Sequence, residues 1–109
     1  MNKVYTDASC QSYKKVKDGI CNGEIAIIGI EEMPIHEKME INQTGLRQFI
    51  NRFELLAIQK AHKLASDKFG DDFMIFSDSM TAVYWADSPM VVWIPRKFNL
   101  AGAYLEAIK

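Results

Sequence analysis

The chain is predicted to fold as an α/β or α+β domain in which helices flank a five-stranded mixed β-sheet. Three observations predict it. Short β-branched or aromatic runs alternate with stretches of helical period, the first three runs succeed one another across short polar connections, and the last two are each preceded by a helical stretch. The resulting order is βββαβαβα.

Val4, Tyr5 and Thr6 favour a strand, so residues 3–7 read as a short first strand ending in Asp7. The polar, turn-prone stretch SYKKVKDGICNG comes next. GEIAIIGIE, residues 23–31, is dense in β-branched residues and suits a strand buried on both faces. MPIHEKMEI then alternates, with Met33, Ile35, Met39 and Ile41 on one side and His36, Lys38 and Glu40 on the other. That is the pattern of a half-buried strand, and Pro34 near its start marks an edge position. Short connections make these three an antiparallel meander. The period becomes helical from about residue 46 to 68, and Gly70 stops it. DDFMIFSDS supplies a fourth strand, 73–77, ending in Asp78, and MTAVYWADSP a short helix closed by Pro89. MVVWIPR reads as a fifth strand and NLAGAYLEAIK as a short terminal helix. Helical crossovers ahead of the last two strands make them parallel to the first.

Composition narrows the function classes. A length of 109 residues predicts one domain spanning 1–109, and 49% hydrophobic with 25% charged residues is ordinary for a globular protein. The formal net charge is −1, whereas strong nucleic-acid binders are often basic, so polyanion binding would need a local basic patch. The opening MNKVYTDAS has no apolar h-region, so a cytoplasmic protein is expected. No apolar stretch approaches the ~20 residues that span a bilayer. Cys10 and Cys21 bracket a hairpin and are expected as free thiols, and without CxxC or a Cys/His cluster structural zinc is excluded. There is no internal repeat, low-complexity tract or flexible linker.

Three carboxylates stand in unusual places. VYTDAS and MIFSDS share an apolar strand, a small hydroxyl residue, an Asp and then small residues. If the first and fourth strands are parallel neighbours, Asp7 and Asp78 face one crevice at their carboxyl ends, where open α/β sheets bind ligands. Either Asp alone could instead cap the turn or helix after it, Asp78 as the N-cap of SMTAVYWA. Glu54 adds weight to the crevice. It shares a helical stripe with Ile50, Ile58, Ala61 and Ala65, and Phe53, Leu55 and Leu56 make the rest of that turn apolar. A buried Glu needs a partner. Arg52, Lys60 or another buried polar group could serve, and so could a divalent metal shared with Asp7 and Asp78. Converging carboxylates repel unless Mg²⁺ or Mn²⁺ neutralises them, and such hard oxygen sites run phosphodiester hydrolysis.

Four local strings, in order and covering nearly the whole chain, resemble the ribonuclease H family. YTDASC is similar to its TDGS segment, NRFELLAI to N-R-x-E-L-x-A, FSDSMTAV to TDS, and WIPRKFNLAGAYLE to V-P-x-x-x-N-x-x-A-D-x-L. The resemblance implies a five-stranded mixed sheet, its first three strands antiparallel, and metal-dependent cleavage of the RNA strand of RNA–DNA hybrids with Mg²⁺ or Mn²⁺. It implies metal ligation by Asp7, Glu54 and Asp78, hybrid contacts at Asn51 and Arg52, and a site lined by Ser9, Cys10 and Ser79. The closing loop adds Arg96, Lys97 and Asn99 as substrate contacts. Asn51 suits a 2′-hydroxyl, the group that tells RNA from DNA, and Arg52 suits a phosphate.

The chain also departs from the pattern. Gly102 and Ala103 stand at A-D, so the family's fourth carboxylate is missing, and Glu106, one turn on, is the candidate replacement. Arg96 and Lys97 stand in the loop that often carries a His, while His36 and His62 read as structural or solvated. Ala8 replaces a common Gly, and there is no room for an extra basic helix. Lys14, Lys15 and Lys17 form either a solvated turn or phosphate contacts. Phe69, Phe73, Phe76, Tyr84, Trp85 and Trp93 read as core. Three functions are compatible with these residues: a ribonuclease H, a degenerate domain that binds nucleic acid or a protein partner, or another nuclease on the same scaffold. Weak intrinsic affinity would call for a protein partner or a homodimer.

Overall fold

The first strand is longer than expected. In the computed structural model, which describes residues 1–42 and 48–109, β1 runs over Asn2–Cys10 and carries Asp7 in its interior. Its far end is held by β2 (Ile20–Ile28), which pairs antiparallel with it out to Cys10 opposite Gly23. On its other side, the parallel strand β4 (Phe73–Ser77) accompanies β1 only from Asn2 to Tyr5. Beyond Tyr5 this side of β1 is unpaired, and Asp7 stands at the gap.

β3 (Ile35–Asn42) pairs antiparallel with β2, and β5 (Val91–Trp93) pairs parallel with β4, completing a mixed sheet of order β3-β2-β1-β4-β5. β3 is an edge strand, as Pro34 indicates. β2 begins and ends three residues earlier than expected, because Gly29 turns the chain away with φ +113°. A Cβ at Gly29 would lie 2.2 Å from the Lys3 carbonyl oxygen. Met33, expected on the buried side of β3, precedes that strand and is exposed.

α1 (Phe49–Phe69) crosses one sheet face; the first residues of the helix expected from about 46 lie outside the described residues. Phe49, Phe53, Ala57, Ile58, Ala61 and Ala65 are buried with Val4, Ile25, Ile27, Phe73 and Ile75, while Ile50 and Leu56 are exposed. The buried stripe is therefore turned toward Phe49 and Phe53, because aromatic side chains fill the space over the sheet that Ile50 would not reach. α2 (Met80–Ala86) adds Ala82 to this core. On the other face, α3 (Leu100–Ala107) buries Ala101 and Leu105 against Ala26, with Tyr5, Ile28 and Tyr104 around them.

Of the aromatics expected in the core, Phe73 is buried and Phe69 and Phe76 are half-buried, but Tyr84, Trp85 and Trp93 are exposed. Their helix and strand are the short outer elements, which leave an outward side uncovered. His36 pairs with Glu24 at 3.0 Å, and His62 meets the Phe73 ring edge-on, so both are structural. Cys10 and Cys21 are free thiols. Among the described residues no helix is long and apolar enough to cross a membrane.

Candidate metal centre

The gap beside β1 is where the three carboxylates meet. Asp7 reaches it from β1, Glu54 from α1 on one sheet face, and Asp78 from the residue after β4. One carboxylate oxygen from each lies within 4.8 Å of the others. Asp7 is fully buried and Glu54 nearly so.

Local structure explains why each is available. Ser79, not Asp78, caps α2, its hydroxyl accepting from the Ala82 amide at 3.1 Å. Asp78 is thereby free for the crevice. The Ala8 amide donates to Glu54 Oε1 at 2.8 Å. Neither Arg52 nor Lys60 partners Glu54; Lys60 instead pairs with Glu37. Both Asp7 oxygens and Glu54 Oε2 are buried without a hydrogen-bond partner among the described residues. Burial foremost, and then the neighbouring negative charge, raises the Glu54 carboxyl above the usual range. Asp7 is also raised, by burial first, with Asp78 adding to it.

The cation that balances this charge is Arg96, from the short 3-10 turn Arg96–Phe98 ahead of α3. Its Nη1 lies 3.2 Å from Asp78 Oδ2 and 3.5 Å from Asp7 Oδ1, and its Nη2 lies 3.8 Å from Glu106 Oε1. Asn99 Nδ2 donates to Asp78 Oδ2 and to the Thr6 carbonyl, both at 2.9 Å. The same side chain caps α3 by accepting from the Ala101 amide at 3.1 Å.

A cleft of about 520 Å³ opens over the trio. Ser9, Cys10, Asn51, Ser79 and Arg96 line it with Glu54 and Asp78. Ser9 Oγ donates to Glu24 at 3.1 Å, Asn51 Nδ2 donates to Gln48 at 3.2 Å, and burial pushes the Cys10 thiol up to about 12, so it stays protonated. Three expected substrate contacts are not at this cleft. Arg52 lines a separate hollow beside Glu40 and Leu56, because the turn of α1 that buries Glu54 carries its neighbour sideways. Lys97 points outward over the Phe98 ring. Asn99 is buried, its amide donors spent on Thr6 and Asp78, so it positions Asp78 instead of facing a ligand.

The fourth position also differs from expectation. Glu106 stays exposed and reaches Arg96, not the trio. Ala103 is exposed, and the α3 residue that faces the carboxylates is Gly102: a Cβ there would lie 3.2 Å from Asp7 Oδ2 and 3.7 Å from Asp78 Oδ2. Arg96, expected as a substrate contact, does line the cleft, but its pairing with Asp7 and Asp78 and the place of Gly102 beside them escape a reading of the sequence alone. A Gly inside a helix three residues after a cap, and an Arg in a carboxylate-rich site, are the available signals.

The donor set fits a hard divalent cation. Three carboxylates offer oxygen ligands, and the unpartnered oxygens of Asp7 and Glu54 are the kind of buried polar atom that a cation satisfies. The trio can hold a metal ion.

No protein-family model matches the chain, and no curated protein sequence matches it. Among solved structures it is similar to LC11-RNase H1 in complex with RNA/DNA hybrid, with 16% identity, a TM-score of 0.54 and all of both chains covered. The chain has the ribonuclease H-like fold. Endonuclease V of Ciona intestinalis, in complex with an inosine-containing DNA, is far more distant: 9% identity, a TM-score of 0.34, and coverage of 96% of this chain and 54% of that one. That level of likeness carries no weight beside the ribonuclease H-like fold.

Proposed function

We propose that the protein is a metal-dependent endoribonuclease that hydrolyses the RNA strand of RNA–DNA hybrids. The observation that carries this reading is the meeting of Asp7, Glu54 and Asp78 beneath an open cleft, with buried oxygens of Asp7 and Glu54 that have no hydrogen-bond partner among the described residues. Similarity in fold to a ribonuclease bound to such a hybrid supports it. Asp7, Glu54 and Asp78 would hold Mg²⁺ or Mn²⁺, which in a two-metal site activates the attacking water and stabilises the leaving oxygen of a phosphodiester. The chain's own groups orient the ligands: the Ala8 amide fixes Glu54, and Asn99 fixes Asp78. Asn51 at the cleft wall is suited to a 2′-hydroxyl, and the Arg96 guanidinium to a phosphate.

A second reading, a degenerate domain that binds nucleic acid without cutting it, is favoured by one observation. Gly102 supplies no fourth carboxylate, and a guanidinium already balances part of the charge. Cleavage of a labelled RNA–DNA hybrid with Mg²⁺ and with Mn²⁺ decides between them, run beside double-stranded RNA, duplex DNA and the Asp78→Asn variant. Metal-dependent cutting of the RNA strand alone, lost in Asp78→Asn, is the expected result. Folded protein that cuts nothing with either metal would leave the binding domain as the reading, and cutting of duplex DNA would make it a different nuclease.

A further inference from the structure

The acidic trio already has a cation. Among the described residues, Arg96 is the only basic side chain within ion-pairing distance of Asp7 or Asp78. It uses one nitrogen, Nη1, for both carboxylates, at 3.5 Å and 3.2 Å. A divalent ion ligated by both at about 2.0–2.6 Å would draw on the same two carboxylates and the space between them. Ion and guanidinium therefore compete. Arg96 is also free to leave: its side chain is 56% exposed, and its other nitrogen lies 3.8 Å from Glu106 on the outer side of α3. Gly102 keeps the space beside Asp7 clear, since any side chain there would enter it.

We infer that Arg96 is the resident counter-cation of the trio, that a divalent metal binds by displacing it, and that the displaced guanidinium becomes a contact for a substrate phosphate. The inference rests on the metal-site reading under Proposed function and adds to it an exchange that sets how tightly metal binds. Substrate and metal are then coupled, because the cation that metal releases is the one that the anionic strand needs. Lys97, next in sequence, does not share this role, because it lies over Phe98 and contacts no carboxylate of the trio.

The test is calorimetric titration of Mn²⁺ alone into the wild-type protein, Arg96→Gln, and Lys63→Gln, a surface charge control on α1. Thermal melts with and without Mn²⁺ on the same samples establish that each variant is folded. Arg96→Gln is expected to bind Mn²⁺ roughly ten-fold more tightly than wild type and to gain more in Tm from it, with Lys63→Gln unchanged. Equal or weaker binding by folded Arg96→Gln, with wild type still binding, overturns the exchange alone and leaves the metal site standing. Binding by none of the three overturns both the exchange and the metal site. Equal tightening in Lys63→Gln also overturns it, since net charge and not displacement would then be the cause.

Discussion

Asp7 and Glu54 are held where a carboxylate is least at ease, and their protonation is linked to folding. Both are raised above the ordinary carboxylate range, chiefly by burial. The folded, metal-free protein thus binds these protons more tightly than the unfolded chain. The resulting stability is full below the ordinary carboxylate range and is lost as pH rises through the raised values. Glu24, which is lowered by its bond to His36, acts in the opposite sense and only at more acidic pH. Melts in chelator should therefore give a lower Tm at about pH 8 than at about pH 5, and Glu54→Gln should shrink the difference. Mn²⁺ should raise Tm more at the higher pH, because its ligands must be deprotonated. A Tm that climbs between those two pH values in chelator would show that Asp7 and Glu54 are not protonated in the fold. Asn99 links the site to stability directly. Asn99→Ala removes a helix cap and two donated bonds, which should cost about 2–3 kcal/mol by urea unfolding. A loss below about 0.5 kcal/mol would mean that water replaces the amide.

At the scale of elements, the strand and helix pattern is legible because period and punctuation are local, but where elements end and how they rotate is not. β1 continues past Asp7 only because β2 is there to pair with residues 8–10. α1 turns its stripe toward Phe49 and Phe53, and a Cβ at Gly23 of β2 would come 2.8 Å from the Phe53 ring. One residue is about 100° around a helix. An apolar run with Ile50, Phe53, Leu55 and Leu56 in it does not choose its own buried side. Two glycines with positive φ make the point testable. A Cβ at Gly29 (φ +113°) would lie 2.2 Å from the Lys3 carbonyl oxygen, whereas Gly70 (φ +64°), closing α1, has open space around its would-be Cβ. Gly29→Ala should destabilise by about 3 kcal/mol or more and Gly70→Ala by only about 1 kcal/mol, read from denaturant midpoints. Equal costs would mean that backbone conformation alone, and not the close approach of Gly29 to the Lys3 carbonyl of β1, governs both.

For the molecule as a whole, a net charge of −1 leaves little general attraction for a polyanion, so hybrid affinity depends on local cations. Lys14 and Lys15 sit in the 3-10 turn Tyr13–Lys15, immediately after Gln11 and Ser12 at the cleft wall, with Lys17 two residues beyond. Replacing all three with Gln in the Asp78→Asn background should weaken hybrid binding and reduce the slope of log K against log salt by about 2. An unchanged slope would make them a solvated turn. The element order, the edge position of β3 and the three acidic residues were all legible in the chain before any fold was known, because local period, turn residues and short strings carry that information. Ser9, Cys10, Asn51 and Ser79, expected at the site from the strings around those acids, line the cleft. It took the folded arrangement to bring Arg96 to the trio, to face Asn99 inward, to set Gly102 and not Ala103 against Asp7, and to turn Arg52 elsewhere. Asn99 meets Thr6 across 93 positions of sequence. Contacts of that kind depend on how α3 is seated and rotated against β1, and helix phase is set by the surface a helix packs on, not by its own sequence pattern.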